Sequence, residues 1–236
     1  SIYPGGRNCF GPRLHEFIQA LFGREKTKHL FTVGECWANE LEEIRRHVGQ
    51  DRGELSTLFQ FDHLNFGRKE KFTPEPGNLT QLWGYLRRWC LTMQEEDLLF
   101  TLFTDNHDNG WLLERLGNRE LRYESATCIA AMVYLLRGVC VIYQGQELGM
   151  TNVKFKLEEY QDVEIRNMAA EKLAAGATVE ELMPGIHAKG RDNARTPMQW
   201  DASEHAGFTT GTPWLKVNPN YVDINVAAQE KDLGSV

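Results

Sequence analysis

The sequence predicts an α/β fold built on a parallel sheet. Two observations carry this reading: short apolar runs that each end in a polar cluster, and longer amphipathic stretches between them. Near-continuous apolar runs suit strands buried on both faces, the setting of a parallel sheet. Four runs fit. Leu30-Phe31-Thr32-Val33 ends at Gly34-Glu35, and Leu58-Phe59-Gln60-Phe61 ends at Asp62-His63. Residues 98–103 end at Asp105-Asn106-His107-Asp108, and residues 139–143 at Gln144-Gly145-Gln146-Glu147. The expected strands lie near 30–34, 57–61, 98–104 and 139–143, parallel, adjacent in chain order, with their C-terminal ends on one side.

The stretches between them read as helices. Arg13 to Phe22 carries apolar residues at 14, 17, 18, 21 and 22, a stripe of helical period. Asn39 to Val48 places Leu41, Ile44 and Val48 on one side, and Leu79 to Met93 does the same with Leu82, Leu86 and Trp89. Ser125 to Leu136 is mostly apolar and is expected to be well buried. The order is helix, strand–helix three times, strand and a long tail, the alternation of right-handed βα crossovers. In the tail, Val163 to Ala175 reads as helical, and Thr178 with Glu181 opens a short helix with a capping box. From Gly185 onward the chain is rich in Gly, Pro, Asn and Thr and is expected to be loop-like. Four strands do not close a barrel, which takes eight in the common case. The sheet is either open or part of something larger.

Composition excludes several classes. Of 236 residues, 42% are hydrophobic, enough for a packed core and against disorder. A net charge of −7 argues against general nucleic-acid binding, which needs a basic face. The longest apolar run, Cys128 to Leu136, is stopped by Arg137 and Gly138 and is too short to span a bilayer. No charged segment followed by an apolar one opens the chain, so no secretory signal is seen. The cysteines at 9, 36, 90, 128 and 140 are odd in number and match no zinc or redox spacing. They read as reduced thiols in a cytoplasmic protein, with neither metal nor cofactor expected. Asn78-Leu79-Thr80 is a formal glycosylation triplet that arises by chance.

Chemistry is expected where the strands end, because active sites of parallel α/β folds sit at the C-terminal edge of the sheet. Glu35 and Asp108 follow the first and third runs. Carboxylates converging from different strand ends are what cleavage of a glycosidic bond needs: one protonates the leaving oxygen, another stabilises or attacks the oxocarbenium-like carbon. Each residue alone has a plainer reading. Glu35 fits a solvated loop, Asp108 the cap of a helix near Trp111, His107 a satisfied loop histidine, and Gln144-Gly145 a turn.

Taken together, these segments resemble one family. Phe31-Thr32-Val33-Gly34-Glu35, Phe59-Gln60-Phe61-Asp62-His63, Asp105-Asn106-His107-Asp108 and the run from Ile142 to Met150 occur in the order found in the α-amylase family of glycoside hydrolases. The run from Gly190 to Asp201, containing Arg191-Asp192-Asn193-Ala194-Arg195-Thr196-Pro197-Met198-Gln199-Trp200, is similar to the signature of its oligo-1,6-glucosidase and α-glucosidase branch. Ala206-Gly207-Phe208-Thr209-Thr210 and Pro213-Trp214-Leu215 extend the likeness.

The resemblance implies a partial (β/α)8 barrel, its strands five to eight, with a long loop-rich tail. Residues 1–236 then form one incomplete catalytic domain, the second half of the barrel without the first half or the C-terminal β-sandwich. It implies Glu35 as the general acid/base, Asp108 as the transition-state stabiliser, His107 as a contact to sugar hydroxyls and Trp37 as an aromatic wall of the acceptor subsite. Arg191 and Glu164 match donor-pocket residues. The sequence also departs from the family. The nucleophile motif is missing, Asn109-Gly110-Trp111 stands where the family has Gln/Asn-Pro-Arg, and Gln146 replaces a common Glu.

The implied activity is that of a retaining α-glucosidase on short oligosaccharides of isomaltose and maltose type, with this segment inactive by itself for want of the nucleophile. A sucrose isomerase or glucosyltransferase of the same family is the alternative, and a non-catalytic carbohydrate-binding remnant a third. The expected partner is an oligosaccharide, with neither nucleic acid nor membrane. Self-association through the exposed barrel face is expected as well, because open strand edges and apolar walls drive it.

Overall fold

The computed structural model describes residues 11–36 and 40–236. Trp37 and Cys9 therefore lie outside the described residues. The chain forms two compact units, each taken by itself. The first holds the chain up to Leu64, Leu79–Phe103 and Tyr134–Val141; the second holds Asn65–Asn78, Thr104–Val133 and Ile142–Val236.

The first unit begins with helix α1 (Leu14–Phe22), strand β1 (Val33–Gly34), helix α2 (Leu41–Val48) and strand β2 (Thr57–Phe59). In the second unit a hairpin of β3 (Arg68–Glu70) and β4 (Thr73–Pro74) comes next in the chain. The first unit resumes with helix α3 (Leu79–Glu95) and strand β5 (Phe100–Leu102), and ends with strand β6 (Val139–Cys140). The sheet has the order β1-β2-β5-β6 and every pair is parallel. Val33 pairs with Thr57, Leu58 with Phe100 and Thr101 with Val139. Parallel pairing puts all four C-terminal ends on one edge, the edge from which Glu35 and the Gln60–His63 segment continue.

The paired ladders are shorter than the apolar runs that predict them. Only two or three residues of each run are paired as strand. Beyond Phe59 the backbone turns into a 3-10 helix at Asp62–Asn65, and Gly138 enters β6 with φ of 154°, a conformation that glycine tolerates. α2 packs on β2, and α3 reaches the sheet where the Phe100 amide meets Met93 Sδ at 3.4 Å. Leu82, Leu86, Trp89 and Met93 form the buried stripe of α3, and in the sheet Leu58, Phe100 and Leu102 are fully buried. α2 buries Ile44 and Val48 as expected, but Leu41 is exposed and His47 takes the buried place instead. α1 buries no residue completely; Leu14, Ile18 and Phe22 are half-buried, whereas Phe17 and Leu21 face solvent.

The second unit contains helices α4 (Leu113–Leu116), α5 (Arg122–Tyr134), α6 (Val163–Ala174), α7 (Val179–Lys189) and α8 (Val226–Gln229). α5 is less buried than its composition suggests. Only Ile129 and Val133 are buried, and Cys128 is exposed, because one stripe of the helix meets the core. α6 and α7 enclose Val153, Phe155, Tyr160, Ile165 and Ile186. α7 starts with the expected capping box: Thr178 accepts from the Glu181 amide, and Glu181 from the Thr178 amide. The helix runs on through Gly185 to Lys189, past the point where a loop was expected. Gly185 is required there, since a Cβ would sit 1.8 Å from the Phe72 carbonyl oxygen of the β3–β4 hairpin. After Lys189 the chain is a series of short 3-10 turns ending in the single turn of α8, fixed by asparagine side chains such as Asn218 to the Thr151 carbonyl at 2.8 Å and Asn225 to the Tyr221 carbonyl at 2.8 Å. No helix among the described residues is long and apolar enough to cross a membrane.

Candidate active site

The Thr104–Leu112 segment is shaped by its own polar side chains. Asp105 is buried and accepts from the Leu112 amide at 2.6 Å and from the Thr104 hydroxyl at 2.8 Å. Burial raises its pKa against these hydrogen bonds, which act to lower it. Asp105, rather than Asp108, thus satisfies the backbone ahead of α4. Asn106 Oδ1 accepts from the Asp108 amide and from Asn109 Nδ2, each at 3.0 Å, and closes a tight turn. Asn152 Oδ1 accepts from the Trp111 amide at 2.9 Å, which anchors the far end of the segment.

With the backbone so fixed, Asp108 is left half-buried and its carboxylate meets cations. Arg195 Nη2 donates to Asp108 Oδ1 at 2.8 Å, and Arg191 Nη1 reaches the same oxygen at 3.4 Å. His107 Nε2 stands 3.4 Å from Asp108 Oδ2, with the His107 ring exposed. Arg191 and Arg195 come together on Asp108 because Arg191–Arg195 is one 3-10 helix. Its approach is held by Asn193 Nδ2 to the Gly190 carbonyl at 2.9 Å and by Tyr143 Oη to the Ala194 carbonyl at 2.9 Å.

A second carboxylate tier stands behind Arg191. Its Nη2 donates to Asp162 Oδ1 at 2.6 Å and lies 3.9 Å from Glu164 Oε2. The hydrogen bond to Asp162, reinforced by Asp108, raises the Arg191 pKa above its ordinary range. Asp162 caps α6 by accepting from the Glu164 amide at 2.9 Å, and Glu164 also pairs with Lys71. The result is an alternating chain of charges, Asp108–Arg191–Asp162/Glu164–Lys71, in which each carboxylate, the buried Asp162 included, has a cation within reach.

The structure thus brings together His107, Asp108, Arg191 and Glu164 in the second unit. The sequence reading missed Arg195, Asp162 and Lys71. Arg195 sits inside the quoted signature, so the signal was present; Asp162 and Lys71 carry none. Glu35 belongs to the first unit. It is exposed, directly after β1, where Gly34 is needed because a Cβ would meet Leu58 and Leu55 side chains at 2.5 and 2.6 Å. Trp37 lies outside the described residues.

Residues 7–236 match the family described as "Alpha amylase, catalytic domain". The chain is 44% identical over 241 residues to an oligo-1,6-glucosidase of Halalkalibacterium halodurans, covering 99% of this chain and 43% of that one. Among solved structures it is similar to the trehalose-6-phosphate hydrolase TreA of Bacillus licheniformis, with a TM-score of 0.91, 36% identity, and coverage of 100% of this chain and 44% of that chain. It is also similar to a mutant of the trehalulose synthase MutB solved in complex with the substrate sucrose, with a TM-score of 0.87, 36% identity, and coverage of 95% and 41%. The chain therefore spans less than half the length of the relatives it matches, and its sheet is part of a (β/α) barrel. With the match running through β1 to β6 and on through the Arg191–Arg195 turn, the chain belongs to the alpha-amylase family, in the branch of the oligo-1,6-glucosidases.

Proposed function

We propose that this chain carries the acid/base and stabilising carboxylates of a retaining α-glucosidase that acts on short α-linked oligosaccharides of isomaltose and maltose type. The observation that carries this reading is Asp108, a carboxylate fixed from behind by Arg195 and Arg191 beside an exposed histidine. A carboxylate held rigidly by cations suits stabilisation of an oxocarbenium-like transition state, because it needs no reorganisation as positive charge develops. In this reading Glu35 protonates the leaving oxygen and His107 contacts sugar hydroxyls. Arg191 and Glu164 border the donor pocket, and Trp37 stacks on the acceptor sugar. The retaining route needs a carboxylate nucleophile ~5–5.5 Å from the acid. No residue of the chain carries the nucleophile motif, so that role is assigned to chain outside these 236 residues. The segment by itself is then inactive. The thiols of Cys90, Cys128 and Cys140, unbridged among the described residues, support a reducing, cytoplasmic setting.

The likeness to the trehalulose synthase favours one second reading, a sucrose isomerase or glucosyltransferase. Both are tested by grafting the chain in place of the matching segment of the Halalkalibacterium relative and supplying isomaltose, maltose and sucrose. Release of glucose, first as the α-anomer by NMR, is the expected result. Formation of isomeric disaccharides from sucrose favours the second reading. Sugar binding without turnover leaves only a carbohydrate-binding remnant and overturns both.

A further inference from the structure

The first unit holds a polar cluster that the glycosidase reading does not use. His15 on α1 and Glu43 and His47 on α2 each bring a ligand atom within 4.8 Å of the others. Glu43 and His47 are four apart on one helix face, and His47 is buried. The two imidazole rings meet edge-on, with centroids 4.8 Å apart.

The partners of each ring fix its orientation. His15 Nδ1 is 2.7 Å from Glu54 Oε2, and His47 Nδ1 is 2.9 Å from the Glu43 carbonyl oxygen. Carboxylate and carbonyl oxygens only accept, so in both rings Nδ1 carries the hydrogen. Both rings aim Nε2 at a further side chain able to ligate a cation: His15 Nε2 lies 3.2 Å from Glu43 Oε1, and His47 Nε2 lies 3.8 Å from Cys36 Sγ. A ring tied through Nδ1 to a carboxylate or a backbone carbonyl is the usual outer support of a metal-bound histidine. Glu54 is itself held by Arg52 at 2.9 Å and Gln19 at 3.0 Å.

Two of the spacings suit a tetrahedral cation, while Glu43 Oε1 stands 3.6 Å from the Nδ1 side of the His47 ring. With bonds of about 2.0–2.1 Å to nitrogen and oxygen and about 2.3 Å to sulfur, neighbouring ligands of tetrahedral zinc stand about 3.3 Å apart for N and O and about 3.6 Å for N and S. The His15–Glu43 and His47–Cys36 distances lie close to these edges. We propose that His15 Nε2, Glu43, His47 Nε2 and Cys36 Sγ form a binding site for a divalent transition cation of zinc type. The nitrogen, sulfur and single carboxylate set suits zinc rather than calcium or magnesium, which take oxygen ligands. The cation replaces the proton between His15 Nε2 and Glu43, and that proton and the Cys36 thiol proton leave to solvent. It joins α1, α2 and the segment directly after Glu35.

The test is titration of the purified, metal-stripped chain with Zn²⁺ by calorimetry and with Co²⁺ by absorption. One equivalent of Zn²⁺ binding at micromolar level or tighter, a Co²⁺ thiolate band in the near ultraviolet and a raised Tm are expected. His47→Asn and Glu43→Gln each weaken binding about tenfold or more, and Cys36→Ser removes the thiolate band. Glu43 is more exposed than His47, so Glu43→Gln keeps the test valid where His47→Asn disturbs folding. Absence of stoichiometric binding, or binding indifferent to Glu43→Gln, overturns the site and leaves a hydrogen-bonded network. A cobalt complex without the thiolate band overturns the assignment of Cys36.

Discussion

Arg195 grips Asp108 at two levels: its Nη2 donates to the Asp108 carboxylate at 2.8 Å while its Nε donates to the His107 carbonyl at 2.7 Å. One planar guanidinium thus sets both the side chain and the peptide that precedes it, a task a point charge cannot perform. Arg195→Ala is expected to cost about 1–2 kcal/mol in urea denaturation, discounted for the partial exposure of Asp108. Arg195→Lys should recover less than half of that loss. Full recovery by lysine would show that charge alone matters.

Glu35 and Asp108 are expected to fail differently when replaced in the grafted enzyme. Glu35→Gln should lower kcat on isomaltose by about 10³-fold, and far less on an aryl α-glucoside, whose leaving group departs without a proton. Asp108→Asn should lower both by a similar factor, as expected for lost charge stabilisation. Equal losses on both substrates for Glu35→Gln would remove it from the acid role.

Lys189 is buried, and burial together with Arg115, Arg68 and Lys71 pushes its pKa down to about 5. An unfolded lysine holds its proton to about pH 10.4. Between about pH 5 and that value the unfolded chain binds one more proton than the folded one, so stability rises with pH, by up to ~1.4 kcal/mol per pH unit. Lys189→Met should be more stable than the parent at pH 7 and should lose this slope. Denaturation curves at pH 6, 7.5 and 9 check it, and parallel pH profiles for the two proteins would contradict it.

The sheet was legible because buried parallel strands write themselves as apolar runs, and α3 because Leu82, Leu86 and Trp89 repeat at helical spacing. The β3–β4 hairpin was not legible. Arg68, Lys69 and Glu70 carry no apolar alternation, and Thr73-Pro74 reads as a turn. Within the site, Asp108 and Arg191 were readable from their motifs. The assignment of the helix-start contact to Asp105 was not, because Asp105 and Asp108 are both plausible caps and only the fold of the turn around Asn106 decides between them. The His15–His47 contact joins two helices more than thirty positions apart and leaves no local trace.

Self-association is the expectation that the edge strand supports. Leu30, Phe31 and Val33 are all exposed around β1, and unpaired strand edges with apolar side chains recruit further chains. Light scattering after size exclusion should give a mass above the 27.1 kDa of one chain. Phe31→Lys with Val33→Lys should return it to that mass. A single-chain mass for the parent would exclude the edge as a contact.

The order β1-β2-β5-β6 places each strand beside the one that precedes it in the first unit. No strand waits for a partner made much later, so each pairing closes a loop of a few dozen residues. Such a sheet can grow in the direction of synthesis, every new strand finding its template already in place. The same layout makes it modular: a cut between two βα repeats removes whole repeats and leaves the remaining pairings intact. A gene encoding this fold can therefore be divided or joined at repeat boundaries, and the register of the surviving strands is kept.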